Sequence, residues 1–249
     1  MDSNIGPETF DATRDKSHPL VRTLELLDIR SFPALVLTSP DDRALNLSAV
    51  YSEKPFEETL SLVLNDVVSS PLRDELAHHL VKAWCVVLLV EGTDPLENGK
   101  ASETVRAAIT TIAGSVTQMG RIIENVPHLM VIRAASRPQE RVLLWSLGIE
   151  EYNTDGPHVA VLYGRGRQIG PVFTGDSISR NALLNLFLLI GADCGCETDR
   201  RFLAGTVIPF RWGHDVQRTI VKQIGFDPES PMVKAEISQI WSGGGATSS

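Results

Sequence analysis

Seven apolar residues in a row, Trp84-Cys85-Val86-Val87-Leu88-Leu89-Val90, constrain this chain more than any other feature. A strand with one wet face alternates apolar and polar side chains, whereas an unbroken apolar run is buried on both faces. Such a strand sits inside a sheet that is covered on each side, and helices are the usual cover. The run therefore predicts an α/β fold. With 249 residues, of which 43% are hydrophobic and 22% charged, the chain has enough apolar side chains to build that core.

The flanking patterns supply the helices. Residues 20–29 carry Leu20, Leu24 and Leu27 at helical spacing behind Pro19. Residues 34–38 and 45–50 read as short strands around the Pro40-Asp41-Asp42 turn. Residues 56–68 place Leu60, Val63, Leu64 and Val67 on one helical face, and a further helix is predicted over 72–81. After the apolar strand, Ser102 is positioned to cap a helix reaching to about residue 125. A strand follows at 128–134, and a helix at 139–147 is closed by Gly148. Strands at 158–163 and 168–173 flank the Gly164-Arg165-Gly166-Arg167 turn, and a strongly apolar helix spans 178–190. Short helices are predicted at 214–224 and 231–241, ahead of a Gly- and Ser-rich tail.

Two stretches match at one offset, with Pro157 lying 124 residues after Pro33. Phe32-Pro33 aligns with Gly156-Pro157, Arg43 with Arg167, and Leu45 with Ile169. Leu60, Leu62 and Leu64 align with Leu184, Leu186 and Leu188. A shared order of strand, turn, strand and helix at a constant spacing predicts an internal duplication.

From Trp84 onward the order is strand, helix, strand, helix, strand, hairpin, strand, helix. Right-handed crossover makes the first two strands parallel, and the hairpin makes the last two antiparallel. The expectation is a mixed four-stranded sheet with helices on both faces. A strand opened by Gly156-Pro157 and followed by a glycine-rich hairpin and a final helix resembles the second half of a thioredoxin-like domain, over about residues 80–197. Residues 19–70 resemble only the later half of another such unit. The whole is similar to uncharacterised bacterial proteins with tandem thioredoxin-like domains. The implied fold is a thioredoxin-like sheet with flanking helices, preceded by a partial second unit and followed by C-terminal helices. The implied divisions are a disordered lead-in (1–17), the partial unit (18–75), the thioredoxin-like domain (76–197), a helical extension (198–241) and a flexible tail (242–249). The resemblance also implies cis bonds at Gly156-Pro157 and Phe32-Pro33. It marks Gly156, Pro157, His158, Phe32 and Pro33 as a proline-loop surface for a partner.

The family's chemistry needs a low-pKa thiolate at the start of the first long helix and a second thiol to resolve the mixed disulfide. Residues 91–100, Glu-Gly-Thr-Asp-Pro-Leu-Glu-Asn-Gly-Lys, occupy that place without a cysteine. Their Glu91, Asp94 and Glu97 read as capping or solvated carboxylates. Cys85 inside the apolar run reads as a small buried hydrophobe. Cys194-Gly195-Cys196 leaves three readings open: a redox-active pair, two soft ligands of a metal site, or two reduced thiols in a turn. Arg165 and Arg167 read as solvated turn residues. His78-His79 lacks a second ligand pair, and Trp145, Trp212 and Trp241 read as packing aromatics.

The formal net charge of −8 opposes a nucleic-acid surface. No apolar run is long enough for a transmembrane span, and the polar N-terminus does not read as a secretory signal. A cytoplasmic protein is expected, or an exported one if the chain is a processed form. The expected function is a non-catalytic binding or adaptor protein. It is expected to need no cofactor, to have no identified small-molecule substrate, and to engage a protein partner or a second copy of itself. The alternative is a thiol-redox or metal-binding protein acting through Cys194 and Cys196.

Overall fold

The computed structural model describes residues 4–47, 55–115, 126–191, 205–211, 213, 218, 219 and 222. The buried run forms strand β3 (Val86–Val90), and all five of its residues are buried. It pairs in parallel with β4 (His128–Ile132) and antiparallel with β5 (His158–Tyr163), which pairs antiparallel with β6 (Arg167–Thr174). The result is a mixed four-stranded sheet in the order β4-β3-β5-β6.

Strand alternation divides the core in two. Val86, Leu88 and Val90 join Ala160 and Leu162 on one face, under α3 (Pro71–Leu80) and α5 (Arg141–Ser146). Val87 and Leu89 join Val159 and Val161 on the other, under α4 (Pro95–Ser115) and α6 (Arg180–Gly191). Each fully buried aliphatic side chain contributes about 1.5–3 kcal/mol by leaving water. A polar substitution at Leu88, which has no accessible surface, removes that and buries an unpaired group besides.

The hairpin edge is blunted. β6 carries Pro171, which has no ladder donor, and a bulge beside Gly170, whose φ is +70°. A Cβ at Gly170 would meet Leu186 Cδ2 at 2.9 Å, so this glycine also lets α6 lie close on the sheet.

The N-terminal part comprises α1 (Leu20–Leu26), β1 (Val36–Thr38), β2 (Ala44–Asn46) and α2 (Phe56–Val68). β1 and β2 form their own two-stranded sheet. That sheet and α2 pack onto α5 through Leu45, Leu47, Val63, Val67, Val68 and Val142, with Trp145 alongside. Arg43 fixes the docking. Its guanidinium donates to the backbone oxygens of Trp145 and Ser146, the latter at 3.2 Å, and lies 5.5 Å over the Trp145 ring.

One buried arginine ties α2, α3 and the C-terminal segment together. Arg73 donates to the carbonyls of Asp66, Val67, Ser69 and Pro209, so it satisfies orphan acceptors where α2 ends. Ser70 caps α3 by accepting from the Arg73 backbone N–H at 3.1 Å, and Pro71 begins the helix. The Ser70 hydroxyl donates to Glu140 Oε2 at 2.9 Å, bridging a buried Arg73–Glu140 pair whose charged atoms stand 4.0 Å apart.

The structure differs from the sequence expectations at several ends. α4 begins at Pro95 rather than Ser102, because Asp94 Oδ1 accepts the Leu96 N–H at 2.8 Å and the helix runs through Gly99. α1 stops at Leu26, with Asp28 at a φ of +51° turning the chain. Residues 4–17, expected to be disordered, make specific contacts: Ile5 packs beside the α5 docking cluster, and Phe10 stacks on His18 at 4.0 Å. Of the helix predicted at 214–224, residues 218, 219 and 222 are described, and all three are helical. The helix at 231–241 and the tail lie outside the described residues.

Candidate functional site

β3 ends at Val90 beside His158, the first residue of β5, and Thr174 at the end of β6 faces His158 from the other side. α4 starts just beyond. Residues 91–98, 133–137 and 150–157 converge at this pole of the sheet.

The loop into α4 is pinned from several directions. Glu91 N–H donates to Ile132 O at 2.9 Å, extending the parallel ladder past the last strand residue. The Asn98 side chain accepts from Gly92 N at 2.8 Å and donates to Gly92 O at 3.0 Å. Gly92 lies against Gly156 so closely that a Cβ there would fall 2.5 Å from the Gly156 carbonyl carbon. Thr93 N–H donates to Thr154 O at 2.9 Å, joining the two loops backbone to backbone.

Arg137 holds the third loop in place by donating to Glu91 O at 3.2 Å and Asn153 O at 2.7 Å. Arg133 pairs with the Glu91 carboxylate at 2.6 Å. Beneath them lies His158, with 3% of its surface accessible and neither ring nitrogen in a hydrogen bond of acceptable geometry. Burial, and then the nearby Arg137 charge, hold its pKa below the ordinary histidine value; the Gly156 backbone opposes this in part. The pole also exposes two apolar side chains. Leu96 on the first turn of α4 is 76% exposed and Tyr152 on the neighbouring loop 80%. They lie three and two residues from Thr93 and Thr154, whose backbones are hydrogen-bonded to each other.

The expected partner residues are distributed unevenly. Gly156 is half-buried, while Pro157 and His158 are buried. Phe32 and Pro33 are exposed and lead into the separate β1–β2 sheet. Among the described residues the cis peptide bond is Phe32–Pro33, so Gly156–Pro157 is trans, contrary to the expectation. The chain runs straight from Gly156 into an extended strand, and the ordinary trans preference of X–Pro prevails. Cys194 and Cys196 lie outside the described residues, as do Trp212 and Trp241. Cys85 is fully buried, and burial pushes its thiol pKa far up.

Arg165 and Arg167, expected to be solvated, are half-buried, and Arg167 donates to Gly205 O at 2.7 Å. His79 stacks on His128 with ring centres 3.6 Å apart, and Lys82 Nζ donates to His78 Nε2 at 2.7 Å. Among the described residues no cluster of His, Cys, Asp or Glu is arranged to hold a metal ion. Nor is any described helix long and apolar enough to cross a membrane. Asn98, Arg137, Leu96 and Tyr152 were not singled out by sequence. An asparagine four residues after Asp94 is the one trace they leave, and its meaning depends on where α4 begins. Compared with family models, curated proteins and solved structures, the chain matches none of them.

Proposed function

We propose that this protein is a non-catalytic binding module on a thioredoxin-like scaffold, which uses the pole around α4 to hold a protein partner. The observation that carries the reading is the state of the loop before α4. In the place where the family activates a thiolate there is no thiol, and Asn98, Gly156 and Thr154 tie the backbone shut. The strand order, with β3 and β4 parallel and β5 and β6 antiparallel, supports this reading of the scaffold, and the trans Gly156–Pro157 bond departs from it. Leu96 and Tyr152 give that frame an apolar contact at little entropic cost, since the loops beneath them are already ordered. The β1–β2 hairpin with α2 is read as a partial second copy of the β5–β6 hairpin with α6. Among the described residues it has no strand equivalent to β3 beside it.

The test compares the wild type with a Cys194→Ser/Cys196→Ser variant in a protein-disulfide reduction assay. In parallel, a photo-crosslinker is placed at Tyr152 in otherwise wild-type chain, in cells. The reading requires equal inactivity of both chains, and a discrete crosslinked partner that is lost on Leu96→Asp. Reduction activity that vanishes in the double variant would instead establish thiol chemistry through Cys194 and Cys196. Zinc that copurifies with the wild type and not with the variant would establish the metal alternative.

A further inference from the structure

At the other end of β5 from His158, residues 205–211 (Gly-Thr-Val-Ile-Pro-Phe-Arg) lie extended across the hairpin tip. Thr206 O accepts from Gln168 N at 2.8 Å and Ile208 N donates to Gly166 O at 3.1 Å, so the segment adds to the β6 edge. Past the tip, β6 offers no further partner. The Asn4 carboxamide takes over, donating to Ile208 O and accepting from Phe210 N, each at 3.0 Å. One side-chain amide thus stands in for one more residue of strand. Arg73 donates to Pro209 O at 3.3 Å, and Arg211 N donates to Val68 O at 3.1 Å.

The side chains are seated as completely as the backbone. Ile208 has no accessible surface and Phe210 has 1%, both within the cluster under α3 and α5. Pro209 is buried too, and brings no amide hydrogen that would need a partner. Gly166 makes the seat: at a φ of +75°, a Cβ there would meet Ile208 Cγ1 at 2.8 Å and Phe210 Cδ2 at 2.9 Å. The receptor groups come from four separate places: Asn4, the end of α2, Arg73 on α3 and the hairpin tip. A backbone read by an edge strand, with alternate side chains in pockets, is how extended peptides are bound.

We propose that this groove is a peptide-recognition groove and that residues 205–211 are its resident ligand. A partner's extended segment with an aliphatic–Pro–aromatic centre binds by displacing them. The central tripeptide of the ligand is uncharged, because Ile208, Pro209 and Phe210 are the buried residues, whereas Arg211 is exposed. Tethering gives the resident segment a high effective concentration, so the free groove is offered only when the resident grip is weakened. The surface lies away from the pole around Pro157 and does not depend on the reading of that pole.

The experiment uses the full chain and a fluorescein-labelled GTVIPFR peptide, with a scrambled peptide as control. Phe210→Ala weakens the resident ligand in place. The variant is expected to stay folded by circular dichroism and to bind the labelled peptide at least about tenfold more tightly than wild type does. Adding Asn4→Ala to that variant is expected to weaken peptide binding again, because it removes two receptor hydrogen bonds without touching the peptide. A folded Phe210→Ala chain that ignores the peptide would overturn the proposal. So would a chain that unfolds and is not restored by it, since the segment is then ordinary core. Wild-type hydrogen exchange gives an independent reading. The amides of Ile208 and Phe210 are expected to exchange faster than those of Leu88 and Val161. Exchange of all four at the same global rate also counts against the proposal.

Discussion

Gly92 and Gly156 meet backbone to backbone, and the contact is one-sided. A methyl group on Gly92 would run into the Gly156 carbonyl carbon at 2.5 Å, whereas a methyl group on Gly156 would find nothing within 4 Å. The neighbour at Gly92 is backbone rather than the tip of a flexible side chain, so relief requires moving a loop that Arg137 and Thr93 hold in place.

The paired prediction is that Gly92→Ala destabilises by about 1–3 kcal/mol in a denaturant titration, the range for overpacking a tight contact. Gly156→Ala is expected to stay within about 0.5 kcal/mol of wild type. Equal effects at the two sites would mean that the loops separate readily and that the pole is not a pinned frame.

Arg73 and Glu140 are expected to respond unequally although they form one pair. Arg73 has carbonyl or hydroxyl acceptors for its bonds without Glu140, while among the described residues the donor to Glu140 is Ser70. Arg73→Met is predicted to cost about 3–5 kcal/mol, because it leaves a buried carboxylate and several carbonyls unanswered. Glu140→Gln is predicted to be neutral or stabilising at pH 7. Burial raises the Glu140 pKa more than Ser70 and Arg73 lower it. Its contribution is therefore full below the ordinary value of 4.5 and is lost as pH rises through the raised one. Urea titrations at pH 5 and pH 8 decide this: a Gln variant weaker than wild type at pH 8 would show that the ion pair outweighs its desolvation.

Much of this architecture was legible beforehand, for reasons that also explain what was not. The run at 84–90 announced a central strand because burial on both faces is written locally, and the 56–68 helix was readable from its apolar stripe. The start of α4 was misplaced because Gly99 looks like a break when its neighbours are unknown. Asp94 accepting from Leu96, with Asn98 closing on Gly92, supports the earlier start. Arg73 gave no signal, since a charged residue in a helical stretch reads as solvent-facing until three elements are seen to enclose it. The 205–211 segment was silent for a similar reason: its pairing with Asn4 spans most of the chain, and periodicity carries no information over that distance.

Acid sensitivity follows from two histidines kept neutral by the fold. His158 is held down by burial and then by Arg137. His128 is held down by burial and by the stacked His79, with Glu75 acting weakly the other way. Both are lowered from 6.5, so the unfolded chain takes up protons that the folded chain refuses. Stability is then full above that value and declines as pH falls below it, through the window down to the folded pKa. His158→Phe removes one of the two groups and is expected to flatten the decline that begins below about pH 6.5. An unchanged slope would show that His158 does not contribute to the decline.

Thiol reactivity reports on the central strand. Cys85 has no accessible surface, and burial disfavours its thiolate. In a Cys194→Ser/Cys196→Ser chain, an aromatic disulfide reagent is predicted to titrate no thiol under native conditions and one in guanidinium chloride. Prompt native reaction would mean that β3 is accessible and the central strand wrongly placed.

The bonds from Asn4 to Ile208 and Phe210 also bear on how the protein is made. Ribosomes deliver the chain from its first residues onward, yet Asn4 and Arg73 wait for partners that are synthesised more than a hundred residues later. Until Ile208 and Phe210 have left the exit tunnel, the face under α3 and α5 has two large apolar vacancies, and the hairpin tip has an open edge. Contacts this distant in sequence slow folding and lengthen the exposure of sticky surface. The nascent chain is therefore expected to be most exposed to aggregation in the interval before Ile208 and Phe210 emerge, when the strands β1 to β6 have already been synthesised.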